Sequence, residues 1–267
     1  MELLTFGEMK LLRENMEYPG SIEDTRRGFE KSFLENEFYS KQTKDEIQLQ
    51  KILSFLDLKT EMNVLDLGTG TGFLAFPIAE NNPSIRVVGL DIVGKTLERN
   101  AMAAKEKNLN NIKFIAYDGI DFPFEDESFD MVISRYALHH FPDIKHTFKE
   151  ISRVIKSGGR FFLCDPSPND DDTKRFVDEF MQMKKDGHIR FYSKDEWKQL
   201  ACEAQLAYVN SYESSIRFPR KREESPEFDD IVSRHDVTVV EGYGIEISDD
   251  EIWITERVNN MLFEKKS

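Results

Sequence analysis

The sequence predicts an α/β fold built on a doubly wound, mostly parallel seven-stranded sheet, with a helical N-terminal extension and insertions covering one sheet edge. Three observations predict it. The run Asn63 to Leu74 (NVLDLGTGTGFL) passes from an apolar strand through a glycine-rich turn into a helix. Beyond that turn, extended apolar segments alternate with helical ones, as parallel strands joined by helical crossovers require. The expected strands also end on polar residues in register, Asp66, Asp91, Asp118, Ser134 and Asp165, at the edge where an open parallel sheet binds its ligands.

Taken in order, residues 1–30 are polar and aperiodic, and a helix is expected over 41–58, where Ile47, Leu49, Ile52, Leu53, Leu56 and Leu58 recur at helical spacing. Strands are expected at 62–67, 85–91, 112–117, 129–134 and 160–164, each rich in β-branched or aromatic residues. Pro77 falls about one turn into the first crossover helix, where a missing amide costs least. Gly158-Gly159 is expected to end a helix over 143–156, with Lys156 in the last turn suiting the macrodipole. Further helices are expected over 172–185 and 194–205, and the extended regions 208–218 and 243–263 supply two more strands, with Ser248-Asp249-Asp250 as a turn. The charged segment 219–242 fits no element and either covers the site or forms a surface insertion.

At 267 residues the chain can bury one large core. Its 36 basic and 50 acidic residues give a net charge of -14, which repels a phosphate backbone. The one basic cluster, Arg217 to Arg222, is interrupted by Phe218 and Pro219 and followed by Glu223 and Glu224, so nucleic acid is not an expected partner. Cys164 and Cys202 lie far apart in apolar stretches, as reduced, buried thiols would. The start, MELLTF, lacks a basic segment leading into an apolar one, and no run approaches the ~18 apolar residues of a membrane span. A cytoplasmic protein with no membrane partner is expected.

Within the turn, Gly68, Gly70 and Gly72 flank Thr69 and Thr71 and let the backbone approach a ligand without Cβ atoms in the way. Asp66 places a carboxylate where a cationic group can sit. A dinucleotide-binding turn reads G-x-G-x-x-G; here the third glycine falls at Gly72 and Phe73 holds the last place, a poor fit.

From about residue 51 to 165 the chain resembles the class I S-adenosylmethionine-dependent methyltransferases, the group that includes the ubiquinone/menaquinone C-methyltransferases and many small-molecule O- and N-methyltransferases. The segments that carry the resemblance are VLDLGTGTG (64–72), VGLD (88–91), DGIDFPF (118–124), SFD (128–130), ALHHFPD (137–143) and RVIKSGG (153–159). It implies a Rossmann-like methyltransferase fold with substrate-covering insertions, S-adenosyl-L-methionine as cofactor and a small-molecule acceptor. Carried over by position, Asp66 attracts the α-ammonium, and Gly68, Thr69, Gly70 and Gly72 wrap the methionine and ribose. Asp91 accepts the ribose hydroxyls. Asp118 accepts from the adenine amino group beside Gly119, Ile92 and Ile120 close on the ring faces, and the backbone at Ser134 completes the methionine pocket. The stretch Ser134 to His140 departs from the quinone enzymes, so their substrate is not carried over.

Methyl transfer to an oxygen or carbon acid needs a base, and His139, His140 and Asp165 follow the fourth and fifth strands, where they can converge on one edge. Each histidine could instead cap a helix or pack beneath the loop. Arg135 and His188 are expected near the substrate, with a surface loop as the other reading of His188. No metal is expected, because Arg135 stands near one of the two places where catechol-type enzymes put carboxylates. The chain divides into an extension or lid (1–40) and a methyltransferase domain (41–267), with a cofactor half (62–165) and substrate-side elements (166–267). A cofactor-binding regulatory or scaffold protein is the alternative from another class, and a nicotinamide-dependent oxidoreductase is disfavoured by the glycine spacing. The sequence specifies no acceptor and no oligomeric state.

Overall fold

The computed structural model describes residues 22–35 and 45–266. Five parallel strands, β1 (Asn63–Leu67), β2 (Arg86–Asp91), β3 (Ile112–Ala116), β4 (Phe129–Arg135) and β5 (Ile155–Ser167), lie in the order 3-2-1-4-5. Helices cover both faces, so Val64, Leu65, Leu67, Val132 and Ile133 are buried whichever way they point, which is why the central strands read as apolar runs. The order reverses between β1 and β4, and the crevice at their carboxyl ends is the switch point of the sheet.

Helix α1 (Ile22–Glu35) and helix α2 (Glu46–Leu56) precede the sheet. Asp45 caps α2 by accepting from the Gln48 amide, and Leu49, Ile52 and Leu56 form its buried stripe. The crossovers are α3 (Ala75–Asn81), α4 (Gly94–Glu106) and α5 (Ile144–Val154). Pro77 lies in the first turn of α3, where an N–H would have no intrahelical carbonyl to meet. In α5, Ile144, Thr147, Phe148, Ile151 and Val154 face the sheet after an Asp143 cap.

Downstream of β5 come α6 (Phe176–Gln182), α7 (Lys194–Glu203) with a Ser193/Glu196 capping box, and β6 (Leu206–Lys221). The chain returns through α8 (Phe228–Arg234), α9 (Val237–Gly242) and the short β7 (Glu246–Ile247) into β8 (Glu251–Lys265), which inserts antiparallel between β5 and β6. The two-residue β7, paired on β8, adds an eighth strand to the expected seven.

Several expectations are corrected. Residues 22–35 are helical, not aperiodic, whereas the readings of 1–21 and 36–44 lie outside the described residues. The helix after β4 stops at Val154, because Ile155 is already extended (φ -78°, ψ 135°) and pairs with Phe129; Gly158-Gly159 therefore sits inside β5, beside a register shift, and not at a helix end. The helix expected over 172–185 shrinks to Phe176–Gln182, since Arg175 is left-handed (φ 64°) and the Asp172 carboxylate accepts from the Phe176 and Val177 amides. The 219–242 segment holds the end of β6, a 3-10 turn (Arg222–Glu224), α8 and α9. Tyr243 follows α9 and is fully buried, so the last long strand begins only at Glu251. Cys164 is buried, but Cys202 is exposed on α7.

The core has two layers astride the sheet and a third under the long β6–β8 ribbon, where Phe176, Phe180, Phe228, Tyr243, Ile252 and Ile254 cluster. On the α5 side, Phe148 stacks on Trp197 at 5.8 Å and meets Phe161 edge-on at 5.5 Å. Phe148→Ala should therefore cost about 3–5 kcal/mol, read as a lower urea midpoint with an unchanged m-value.

Candidate active site

Beyond Leu67 the chain turns at Gly68 with φ +68°, and a Cβ there would come within 2.4 Å of the Ala137 Cβ. Only glycine meets both demands. The buried Asp91, at the end of β2, clamps the same loop: one carboxylate oxygen accepts from the Gly70 amide at 2.8 Å, the other from the Val93 amide at 2.9 Å. Asn100 of α4 donates to the Gly70 carbonyl from the other side. Asp66 accepts from the Thr69 hydroxyl at 2.7 Å, and burial pushes its carboxyl up to about 7. Burial also raises Asp91, against the pull of its amide donors.

The fourth strand end supplies the opposite wall. The Ser134 hydroxyl donates to the Leu67 carbonyl, tying β4 to β1. Arg135 lies between the rings of Phe73 (3.8 Å) and Tyr136 (4.1 Å) and donates from Nε and Nη2 to Gln48 Oε1. Tyr136 is left-handed (φ 53°), a strained conformation for an aromatic residue. It is held by its amide bond to the Cys164 carbonyl and by a hydroxyl that accepts from Gln48 Nε2 at 2.7 Å.

That turn delivers a 3-10 segment, Leu138–His140. His139 Nδ1 lies 2.6 Å from Asp165 Oδ1, both groups nearly fully buried. Burial drives the Asp165 carboxyl up and the His139 imidazole down. His140 packs at 4.2 Å from His139, and burial lowers it to about 3. His188 lies 5.3 Å from His139, with Nε2 2.9 Å from Asp178 Oδ1.

Helix α1 roofs this edge. Ile22 packs on Gly119, Arg26 Nε donates to the Ile92 carbonyl, and the Phe29 ring meets His140 edge-on at 4.9 Å. Gly28 and Gly187 let it approach the 184–187 loop: a Cβ on Gly187 would fall 2.0 Å from the Thr25 hydroxyl. Beneath the helix is a cavity of about 1070 Å³, at the top of the ~300–1,000 Å³ range of single small-molecule sites.

The cavity is lined by Asp66, Gly68, Thr69, Gly70, Asp91, Ile92, Gly119, Arg135, His139 and His140 among the residues singled out from sequence. Others stand apart from the lining. Gly72 faces Phe76, Ser134 is spent on Leu67, and Asp165 stands behind His139. Asp118 is exposed, with its carboxylate accepting from the Ile120 and Asp121 amides; Tyr117 and Gly119 line the wall there in its place and that of Ile120. His188 is buried under the 3-10 turn, in neither a surface loop nor the cavity wall. Among the described residues, Asp121, His146 and Glu150 form a group with metal-ligand spacing away from the cavity. Glu150 there already receives the Arg153 guanidinium and the Phe122 amide.

Residues the sequence reading passed over include Tyr117, Tyr136, Phe29 and Glu256. Glu256 had a signal: in β8 it holds a place where alternation with Ile252, Ile254 and Val258 calls for an apolar side chain.

Asp66 has a measurable consequence. Its folded value of about 7 exceeds the ordinary 3.8, so between those pH values the unfolded chain gives up a proton that the folded one keeps. Stability of the ligand-free protein should fall by about 2–4 kcal/mol as pH rises through that window. Asp66→Asn should remove that fall, measured as urea midpoints at pH 4 and pH 8.

Comparison with known proteins places this geometry. A family model for a methyltransferase domain matches residues 58–207. The uncharacterized methyltransferase YcgJ of Bacillus subtilis is 34% identical over 154 residues, covering 57% of this chain and 60% of that protein. The crystal structure of YcgJ superposes with a TM-score of 0.73 at 24% identity, over 82% of this chain and 98% of that one. The demethylmenaquinone methyltransferase of Lactococcus lactis is 39% identical over 109 residues, 40% of this chain and 43% of that protein. The 27-O-demethylrifamycin SV methyltransferase of Amycolatopsis mediterranei is 35% identical over 123 residues, 44% of this chain and 45% of that protein. The matches thus span roughly half of each of these relatives.

Proposed function

The chain belongs to the methyltransferase-domain family, and from that premise we propose that it transfers a methyl group from S-adenosylmethionine to a small-molecule acceptor. The observation that carries the reading is the loop Gly68 to Gly72, clamped by Asp91 and opening on a cavity with room for two ligands. The residues fit that cofactor. A cradle that a Cβ at Gly68 would fill admits a ligand against the backbone. Asp91 uses one lone pair of each oxygen on an amide and keeps the others for a ribose diol. Asp66 is a carboxylate for the ammonium, and a cation beside it draws its pKa back down. Tyr117, Ile92 and Gly119 supply the apolar slot for adenine. Two of the similar proteins carry names of small-molecule methyltransferases, for demethylmenaquinone and for a rifamycin.

S-adenosylmethionine supplies an already activated methyl on its sulfonium, so the protein's task is alignment, exclusion of water and removal of a proton. Helix α1 roofs one side of the cavity. His139 is the base: burial keeps it neutral before reaction, and its Nδ1 is oriented by Asp165. Bound there, S-adenosylmethionine would supply the methyl to the acceptor oxygen and keep the S–CH3 electron pair on its sulfur, and His139 would take the acceptor's proton. One positive charge is conserved within the cavity, and Asp165 stabilises it on the imidazole.

Titration calorimetry should give S-adenosylhomocysteine binding at micromolar affinity or better, on the order of -8 kcal/mol; heat from NADH with none from S-adenosylhomocysteine would sink the reading. Asp91→Ala, checked by circular dichroism for folding, should weaken that binding by about 2–4 kcal/mol. His139→Ala should lower single-turnover rates by ~10²–10⁴-fold with cofactor affinity nearly intact. Wild-type rates in that variant would mean that alignment alone suffices.

A further inference from the structure

Away from the glycine loop, the cavity is walled by the β6–β8 ribbon and the helices packed on it. Met181, Met183, Phe191, Ile216 and Phe218 make that wall apolar. Glu256 interrupts it. It is 1% exposed, pairs across the ribbon with Ile216, borders the cavity, and its Oε1 has no hydrogen-bond partner among the described residues. A carboxyl left unpaired in an apolar setting costs several kcal/mol relative to water, and an aliphatic side chain of similar size would hold this strand better. Its flanking rungs on the same face, Ile254 and Val258, are buried apolar side chains, and the cation that acts on the carboxyl, Arg220, itself borders the cavity.

We propose that Glu256 is the acceptor-recognition residue, and that the acceptor is a neutral aromatic compound with two hydroxyls, one held by Glu256 and the other presented to His139. The inference rests on the methyltransferase reading above and specifies its substrate class. Two features select a neutral hydroxyl. The methionines and aromatic rings of the wall fit a flat apolar body. Burial pushes the Glu256 carboxyl up to about 8, and a hydroxyl can bond to either protonation state, whereas an ammonium requires the ionised one.

Calorimetry on protein loaded with S-adenosylhomocysteine tests this with three probes: 2,6-dihydroxynaphthalene, 2-hydroxynaphthalene and 2-(aminomethyl)naphthalene. The diol should bind at least about tenfold more tightly than the other two. Glu256→Leu should erase that preference, and Glu256→Gln, whose amide carbonyl still accepts, should keep most of it. Equal binding of the two naphthols, a diol preference that survives Glu256→Leu, tighter binding of the amine, or no naphthol binding would each overturn the proposal. Failure to load S-adenosylhomocysteine at all would overturn the methyltransferase reading instead, so the two failures are distinguishable.

Discussion

The carboxylate of Asp91 is the constraint on which the site depends. It joins the turn after β1 to the turn after β2, through amides of Gly70 and Val93. A buried carboxylate is tolerable there because both oxygens are met by N–H groups. With the loop fixed, Gly68 can press against Ala137, and that contact positions the turn carrying His139 and His140. The chemistry at the fourth strand end thus takes its geometry from an anchor at the second.

The sheet was legible because its strands are buried on both faces and end in polar residues at one edge; a run such as Val64 to Leu67 has few other ways to be satisfied. The site was legible where function forces a composition, as in the glycine loop, Asp91 and the paired histidines. It was less legible where geometry alone decides. Asp118 looks like its neighbours in sequence, yet it spends its carboxylate on its own turn, and only the path of the backbone leaves Tyr117 and Gly119 on the wall. Within the expected lid, the helix itself was hidden because α1 grips through glycine contacts, Gly28 on Asp186 and Thr25 on Gly187, which leave no apolar period in the sequence. The short α8 and α9 lie on the ribbon with few buried residues each, too few for a helical stripe to stand out in 219–242.

The histidines show how burial and chemistry intertwine. His139, His140 and His188 form one contiguous packing group with Phe191, and each ring is also a core side chain. Asp178 holds His188 and accepts from the Phe191 amide, so a carboxylate outside the cavity supports the surface on which His139 rests. Reading a histidine as either packing or functional is a false choice here, because packing is what strips the imidazole of its charge and leaves it able to take a proton.

The insertion of β8 between β5 and β6 sets an order on synthesis. When β6 emerges from the ribosome, the sheet offers it no neighbour among the described residues made before it, since its partner strand in the sheet is Glu251–Lys265. Its sixteen residues must wait as an unpaired strand beside an open edge of β5 until the segment that separates them has been made. Nascent chains with such an edge are prone to pair with one another. The charged residues in and just after β6, Arg217, Arg220, Lys221, Arg222, Glu223 and Glu224, are suited to discourage that association during the interval.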